Sequence, residues 1–143
     1  MGLLSLLFGG GRLKPELRAA LEAEGLVMIE EQLRATLRYT HFRAPGKRFH
    51  GKVVPMRVAL AISEQRLVIR GGVGTADLVD SPFDSPRWKA VDVSVDGDDR
   101  LVIEIDYSRM EEAEAAGVSG EIAIKVRTPK AATIVEEFRA RVG

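Results

Sequence analysis

Residues 91 to 107, Val-Asp-Val-Ser-Val-Asp-Gly-Asp-Asp-Arg-Leu-Val-Ile-Glu-Ile-Asp-Tyr, constrain the fold more than any other stretch of the chain. Val91, Val93 and Val95 alternate with Asp92 and Ser94. The run breaks at Asp-Gly-Asp-Asp, and Leu101, Ile103, Ile105 and Tyr107 then resume on one face. Successive strand side chains point to opposite faces, so this alternation on both sides of a glycine-bearing turn predicts an antiparallel hairpin with one face buried. Its valine and isoleucine face must be covered by further strands or a helix.

The same period recurs along the chain. Leu33, Ala35, Leu37 and Tyr39 share one face, with Arg34, Thr36, Arg38 and Thr40 on the other. Pro45-Gly46 breaks that strand, and a second runs from Val53 with Met56, Val58, Leu60 and Ile62 on one face. Ser63-Glu64-Gln65 turns it back into Arg66–Gly71. A glycine- and proline-rich passage follows, in which Gly71–Gly74 reads as a turn and Thr75–Val79 as a short edge strand. Phe83 and Trp88, flanked by Pro82 and Pro86, suggest a small exposed aromatic patch or a cover for a barrel end. After a charged excursion over Arg109–Ala116, Ile122, Ile124 and Val126 mark the last strand.

Two stretches carry helix signals instead. Leu13, Leu17 and Leu21 stand four apart, with Pro15 near the start and Gly25 past the end. Thr128 and Pro129 open a C-terminal helix whose stripe is Ile134, Val135, Phe138 and Val142. The expected architecture is mainly β: a small antiparallel barrel of six to seven strands capped by a C-terminal α-helix, with an extra short N-terminal helix. The expected division is an apolar, glycine-rich tail over 1–11, the helix over 12–25, and the β domain over 26–143.

The chain of 143 residues has one-domain length, and a domain of that size buries roughly 70% of the surface its unfolded form exposes. With 45% hydrophobic and 29% charged residues it has the composition of a globular protein. The absence of cysteine excludes disulfides, thiolate nucleophiles and Cys-ligated metals, and fits a reducing compartment. Near the start, Leu3, Leu4, Leu6, Leu7 and Phe8 are too few for a membrane span and lack the basic flank of a signal peptide. They read as a frayed tail or as a small hydrophobic membrane tether hinged at Gly9-Gly10-Gly11.

Charge is distributed unevenly under a net charge of zero. Between Gln32 and Ser63 stand seven bases, Arg34, Arg38, Arg43, Lys47, Arg48, Lys52 and Arg57, and no acid. From Asp77 to Glu121 there are thirteen acids and four bases. Concentrated like charge steers oppositely charged partners over about 8 Å at physiological salt.

Two stretches, Arg-Val-Ala-Leu-Ala-Ile-Ser-Glu-Gln-Arg-Leu-Val-Ile-Arg-Gly and Gly-Glu-Ile-Ala-Ile-Lys-Val-Arg-Thr-Pro-Lys-Ala-Ala-Thr-Ile-Val-Glu-Glu-Phe-Arg-Ala-Arg-Val, resemble the second hairpin and the last strand and helix of bacterial pleckstrin-homology-like domains. The resemblance implies a barrel closed by the C-terminal helix, with an anion site at the connection between the first two strands. Arg34, Arg38, Arg43, Lys47, Arg48 and Lys52 are the residues that would line it. The alternating basic pair of the family's lipid-binding members is absent, since Lys47 and Arg48 are adjacent and Lys52 precedes two valines. Some relatives assemble through strand edges, which implies a possible homo-oligomer.

No catalytic constellation is legible. His41 and His50, nine residues apart around a turn, are placed to approach one another, but no third ligand or nucleophile lies beside them. Ala44–Phe49 lacks the glycine and Ser/Thr of a phosphate loop, and Asp96–Asp99 lacks the length of a calcium loop. Tyr39, Phe42 and Phe49 lie among bases, yet the acidic half of the chain disfavours nucleic acid. The expected function is a non-enzymatic binding module without cofactor or metal, taking an anionic lipid surface, another anionic ligand or an acidic protein segment. The expected place is the cytoplasm or the inner membrane face. The alternative is a structural domain that forms homo-oligomers and binds no lipid or small molecule.

Overall fold

Period-two alternation becomes strand wherever the sequence carries it. The computed structural model describes residues 11–71 and 76–142, and over these the chain is mainly antiparallel β, with a short N-terminal and a longer C-terminal helix. The elements are α1 (Pro15–Ala23), β1 (Leu26–Ala44), β2 (Lys47–Phe49), β3 (Val53–Ser63), β4 (Arg66–Gly71), β5 (Ala76–Pro82), β6 (Val91–Asp96), β7 (Arg100–Asp106), α2 (Glu111–Ala115), β8 (Ser119–Arg127) and α3 (Ala131–Arg141). Leu3, Leu4, Leu6, Leu7 and Phe8 lie outside the described residues, as do positions 72–74 of the expected glycine turn and Thr75, the first residue of the expected edge strand. Among the described residues no helix is long and apolar enough to cross a membrane.

Chain contacts divide the protein into two units. One takes the chain up to Arg34, Met56–Ser85 and Glu136 onward; the other takes Ala35–Pro55 and Pro86–Val135. In the first, β3 pairs with β4 from Val58↔Gly71 to Ile62↔Leu67, and β4 pairs with β5, with a register shift at Ile69/Arg70. The expected edge strand therefore exists and runs on to Pro82. Simple alternation fails in β3, where Val58, Ala59, Leu60, Ala61 and Ile62 are all fully buried. The reason is α1: its Leu21, with Leu13 just ahead of it, clusters with Ala59, Ala61 and Val68. Small alanines on that face leave room for the helix. Burying a leucine there is worth about 1.5–3 kcal/mol.

In the second unit β6 and β7 pair from Val91↔Ile105 to Asp96↔Arg100, and β7 pairs with β8 through Ile103↔Ile124. Leu101, Val102, Ile103, Ile124 and Val126 form its buried strand positions. Strand β6 starts only at Val91, because Pro86–Ala90 is a 3-10 turn. Trp88 in that turn is buried, as is Phe83 in the other unit, so neither belongs to an exposed patch. The entry to α3 follows the expected signals: the Thr128 hydroxyl accepts from the Lys130 N–H at 3.1 Å, and Ile134, Val135 and Phe138 are buried.

Strand β1 departs from the sequence reading. It spans 19 residues, and Gln32 (φ 57°) and His41 (φ 48°) take left-handed conformations that interrupt its alternation. Each sits against a glycine. Within the first unit, the Gln32 N–H donates to the Gly11 carbonyl at 2.7 Å, so Gly11, at the end of the expected tail, is buried and bonded. Within the second, a Cβ on Gly120 would lie 2.3 Å from the His41 carbonyl oxygen.

Candidate functional site

The first hairpin is built on a two-residue turn, Pro45-Gly46, between the end of β1 and β2. Its register is Phe42↔Phe49, Arg43↔Arg48 and Ala44↔Lys47. Directly opposed residues of an antiparallel pair share a face and neighbours alternate, so phenylalanines and arginines take opposite faces. The sequence pattern thus makes a two-sided ribbon with one aromatic side and one cationic side.

Four rings form the aromatic side. Phe42 and Phe49 stack with centroids 6.2 Å apart, Tyr39 lies 5.2 and 5.1 Å from them, and Tyr107 meets Phe42 edge-on at 5.9 Å. The Lys52 ammonium sits 4.1 Å above the Phe49 ring. Tyr39 and Phe42 would point oppositely in an uninterrupted strand. The left-handed turn at His41 brings them together. Aromatic pairs contribute about 0.5–1.5 kcal/mol beyond their buried area, so the cluster holds a short ribbon in shape. Burial, with the nearby Tyr39, raises the Tyr107 phenol above its ordinary pKa.

On the cationic side the register sets Arg43 and Arg48 directly opposite one another; Lys47, opposite Ala44, alternates onto the other face at the turn, and all three are exposed. Like charges in that relation destabilise a sheet by a few tenths of a kcal/mol to about 1 kcal/mol. Among the described residues of this unit, no acid forms an ion pair with Arg38, Arg43, Lys47, Arg48 or Lys52. Several of the unit's acids are matched elsewhere: Glu112 to Arg87 at 2.6 Å, Asp96 to Arg100 at 3.8 Å and Asp99 to Arg127 at 3.8 Å. The Arg87 contact holds the Glu112 carboxyl below its ordinary pKa.

Of the six expected residues, Arg43, Lys47 and Arg48 fall on one ribbon. Lys52 serves the aromatic side, Arg38 lies exposed upstream on β1, and Arg34 belongs to the other unit. Tyr107 and Gly120, which complete the hairpin's surroundings, come from the far end of the sequence. The local signal for that approach is Gly120 itself, a glycine on the Ile122, Ile124 and Val126 face of a regular strand.

The two histidines do meet. Their rings stack at 4.3 Å, and the His41 backbone N–H donates to His50 Nδ1 at 3.2 Å. Among the described residues no group of three or more His, Cys, Asp or Glu side chains is arranged to hold a metal ion.

The first unit handles charge differently. Arg66 donates from Nε to Glu24 at 3.0 Å and from Nη1 to both Asp80 oxygens at 3.0 and 3.1 Å, while the Ser63 hydroxyl donates to Glu24 at 2.9 Å. Burial alone would lower the Arg66 pKa, but the bonds to Glu24 and Asp80 raise it above its ordinary value. An open cleft of about 420 Å³ in this unit is lined by Glu64, Gln65, Pro82, Phe83, Asp84 and Arg141. Its arginine is held by Glu64 at 2.8 Å and Glu137 at 2.6 Å. No protein-family model matches the chain, and no curated protein matches its sequence.

Proposed function

We propose that the protein is a non-enzymatic binding module whose first hairpin takes an anionic lipid surface. The observation that carries this reading is the Arg43↔Arg48 pair: two exposed like charges held opposite one another, with Lys47 adjacent and no acid of the unit paired to them. An arrangement that costs stability in isolation is relieved when phosphates occupy the space between the guanidiniums, which present planar forks of donors. The resemblance to pleckstrin-homology-like domains supports the same position. The leucines and Phe8 of the N-terminal segment add a second signal, since a weak apolar anchor and a basic patch together give the membrane affinity that neither gives alone. The protein then works at the cytoplasmic face of a membrane.

The test is sedimentation with phosphatidylglycerol or phosphatidylcholine vesicles at low and high salt, with the Arg43→Glu/Lys47→Glu/Arg48→Glu variant beside wild type. Wild type is expected to partition onto the anionic vesicles only, less so at high salt, and the variant to stay in solution. Equal partition of the two proteins overturns the reading. Salt-sensitive self-association of the wild type without lipid, lost in the variant, favours instead a homo-oligomer in which the basic hairpin meets the acidic segment of another copy.

A further inference from the structure

We propose that the cleft of the first unit is a binding site for an aliphatic cation, an ammonium or guanidinium group on a short apolar stem. Its walls come from three places in the chain: Glu64 and Gln65 in the β3–β4 turn, Pro82, Phe83 and Asp84 at the end of β5 and just past it, and Arg141 at the end of α3. Hydrogen bonds hold these walls in place. The Phe83 N–H donates to the Gln65 carbonyl at 2.9 Å, and Arg141 Nη2 donates to Glu64 at 2.8 Å. A volume of about 420 Å³ lies in the range of small-molecule sites. The basic hairpin belongs to the other unit, so this site does not depend on the anionic-surface reading.

The polar lining decides the sign of the ligand. Both Nη1 hydrogens of Arg141 go to Glu137, one to its carbonyl and one to its carboxylate, and one Nη2 hydrogen goes to Glu64. The Nε–H is buried and has no acceptor among the described residues. A single Nη2 hydrogen is left for an incoming anion. Acceptors are in surplus. Glu64 meets Arg141 through Oε1, which leaves Oε2, and the exposed Asp84 carboxylate has no ion pair or hydrogen bond among the described residues. Glu64, Glu137 and Asp84 thus set three negative charges against the one positive charge of Arg141. The last carbonyls of α3 add partial negative charge at the same end. An anion is repelled here, and a donor-rich cation is drawn in.

The apolar lining decides the rest of the ligand. Phe83 is buried, and its ring is fixed edge-on against Phe138 with centroids 6.0 Å apart. Pro82 beside it is exposed. An alkyl stem lies along Pro82 while its charged head reaches Asp84 and the free oxygen of Glu64, the division of labour that lysine and arginine side chains themselves use. Free alkylamines and alkylguanidines present this chemistry, and so do the ends of lysine and arginine side chains on a partner.

The test is a ¹H–¹⁵N NMR titration of the full chain with butylguanidinium, with its uncharged counterpart butylurea, and with the peptide acetyl-Gly-Arg-Gly-amide. Wild type is compared with Asp84→Asn, which keeps the shape of an exposed side chain and removes its charge. Butylguanidinium is expected to give saturable shifts at the Gln65, Phe83 and Asp84 amides with a Kd of about 1 mM. Butylurea is expected not to saturate them, and Asp84→Asn to bind the cation about fivefold more weakly. Equal binding of butylurea, or an unchanged Kd in the variant, overturns the inference. So do shifts at the exposed Asp98 and Asp99 that follow the same curve as the cleft, since these mark an ordinary counter-ion. A peptide that binds as tightly as butylguanidinium supports the site and identifies a protein side chain as its occupant. A peptide that is excluded while butylguanidinium saturates supports it with a free amine or guanidine instead.

Discussion

Arg66 and the Arg43/Arg48 pair are strand arginines close to turns, and their surroundings could hardly differ more. Arg66, with a side chain 21% exposed, has both its Nε and Nη1 engaged by two carboxylates, of which Glu24 also accepts from the Ser63 hydroxyl. Arg43 and Arg48 are exposed, face one another across a register, and have no acidic partner in their unit. The contrast separates two uses of one side chain. A guanidinium with satisfied donors ties elements together, here the end of α1, the β3–β4 turn and β5. Where the donors are free and repel one another, the same group is the one that the proposed function assigns to an anion brought from outside.

That difference can be broken from either side, and the largest effect comes from the backbone under the hairpin. Gly120→Ala puts a methyl 2.3 Å from the His41 carbonyl oxygen at a position with φ 93°, and neither contact partner is a flexible side-chain end. Urea unfolding is expected to show a loss of about 3 kcal/mol or more. An unchanged midpoint would mean that β8 does not press on the His41 turn.

Next comes Arg66→Met, which leaves Glu24 and Asp80 facing each other's charge without their common cation. The expected loss is about 2–3 kcal/mol, below the range for a fully buried pair because the side chains retain some exposure. Adding Glu24→Gln to that variant is expected to cost less than Glu24→Gln alone, and strict additivity of the two would show that the knot is not a unit.

The smallest effect has the opposite sign. Arg48→Glu turns a repulsive cross-strand pair into an attractive one, so thermal unfolding is expected to show a gain of about 0.5 kcal/mol while vesicle binding falls. A loss of stability would show that Arg48 already has a structural partner and belongs with Arg66 rather than opposite to it.

Much of the hairpin could be read from residue order alone. Lys47 and Arg48 beside Pro45-Gly46 had to lie at a turn, and His41 and His50, nine positions apart around that turn, had to come close. Tyr107 could not be assigned to the aromatic cluster, because its contact with Phe42 joins positions far apart in sequence and no local period records it. Arg34 shares its spacing with Arg38, yet the two belong to different units, a division that alternation does not encode. Arg66 opens the returning strand of the second hairpin, and no local pattern records its partners, because Glu24 and Asp80 lie far from it along the chain.

Local chemistry determined which residues are strand, which are helix and where the turns fall, since each depends on neighbours within a few positions. The sequence also carried the segregation of bases from acids. Only the tertiary structure decided that Ala59 and Ala61 lie beneath a helix rather than in water, that Gln32 and His41 bend β1, and which arginines are neutralised. Those outcomes depend on what arrives from elsewhere in the chain, and burial and ion pairing are properties of the meeting rather than of either segment.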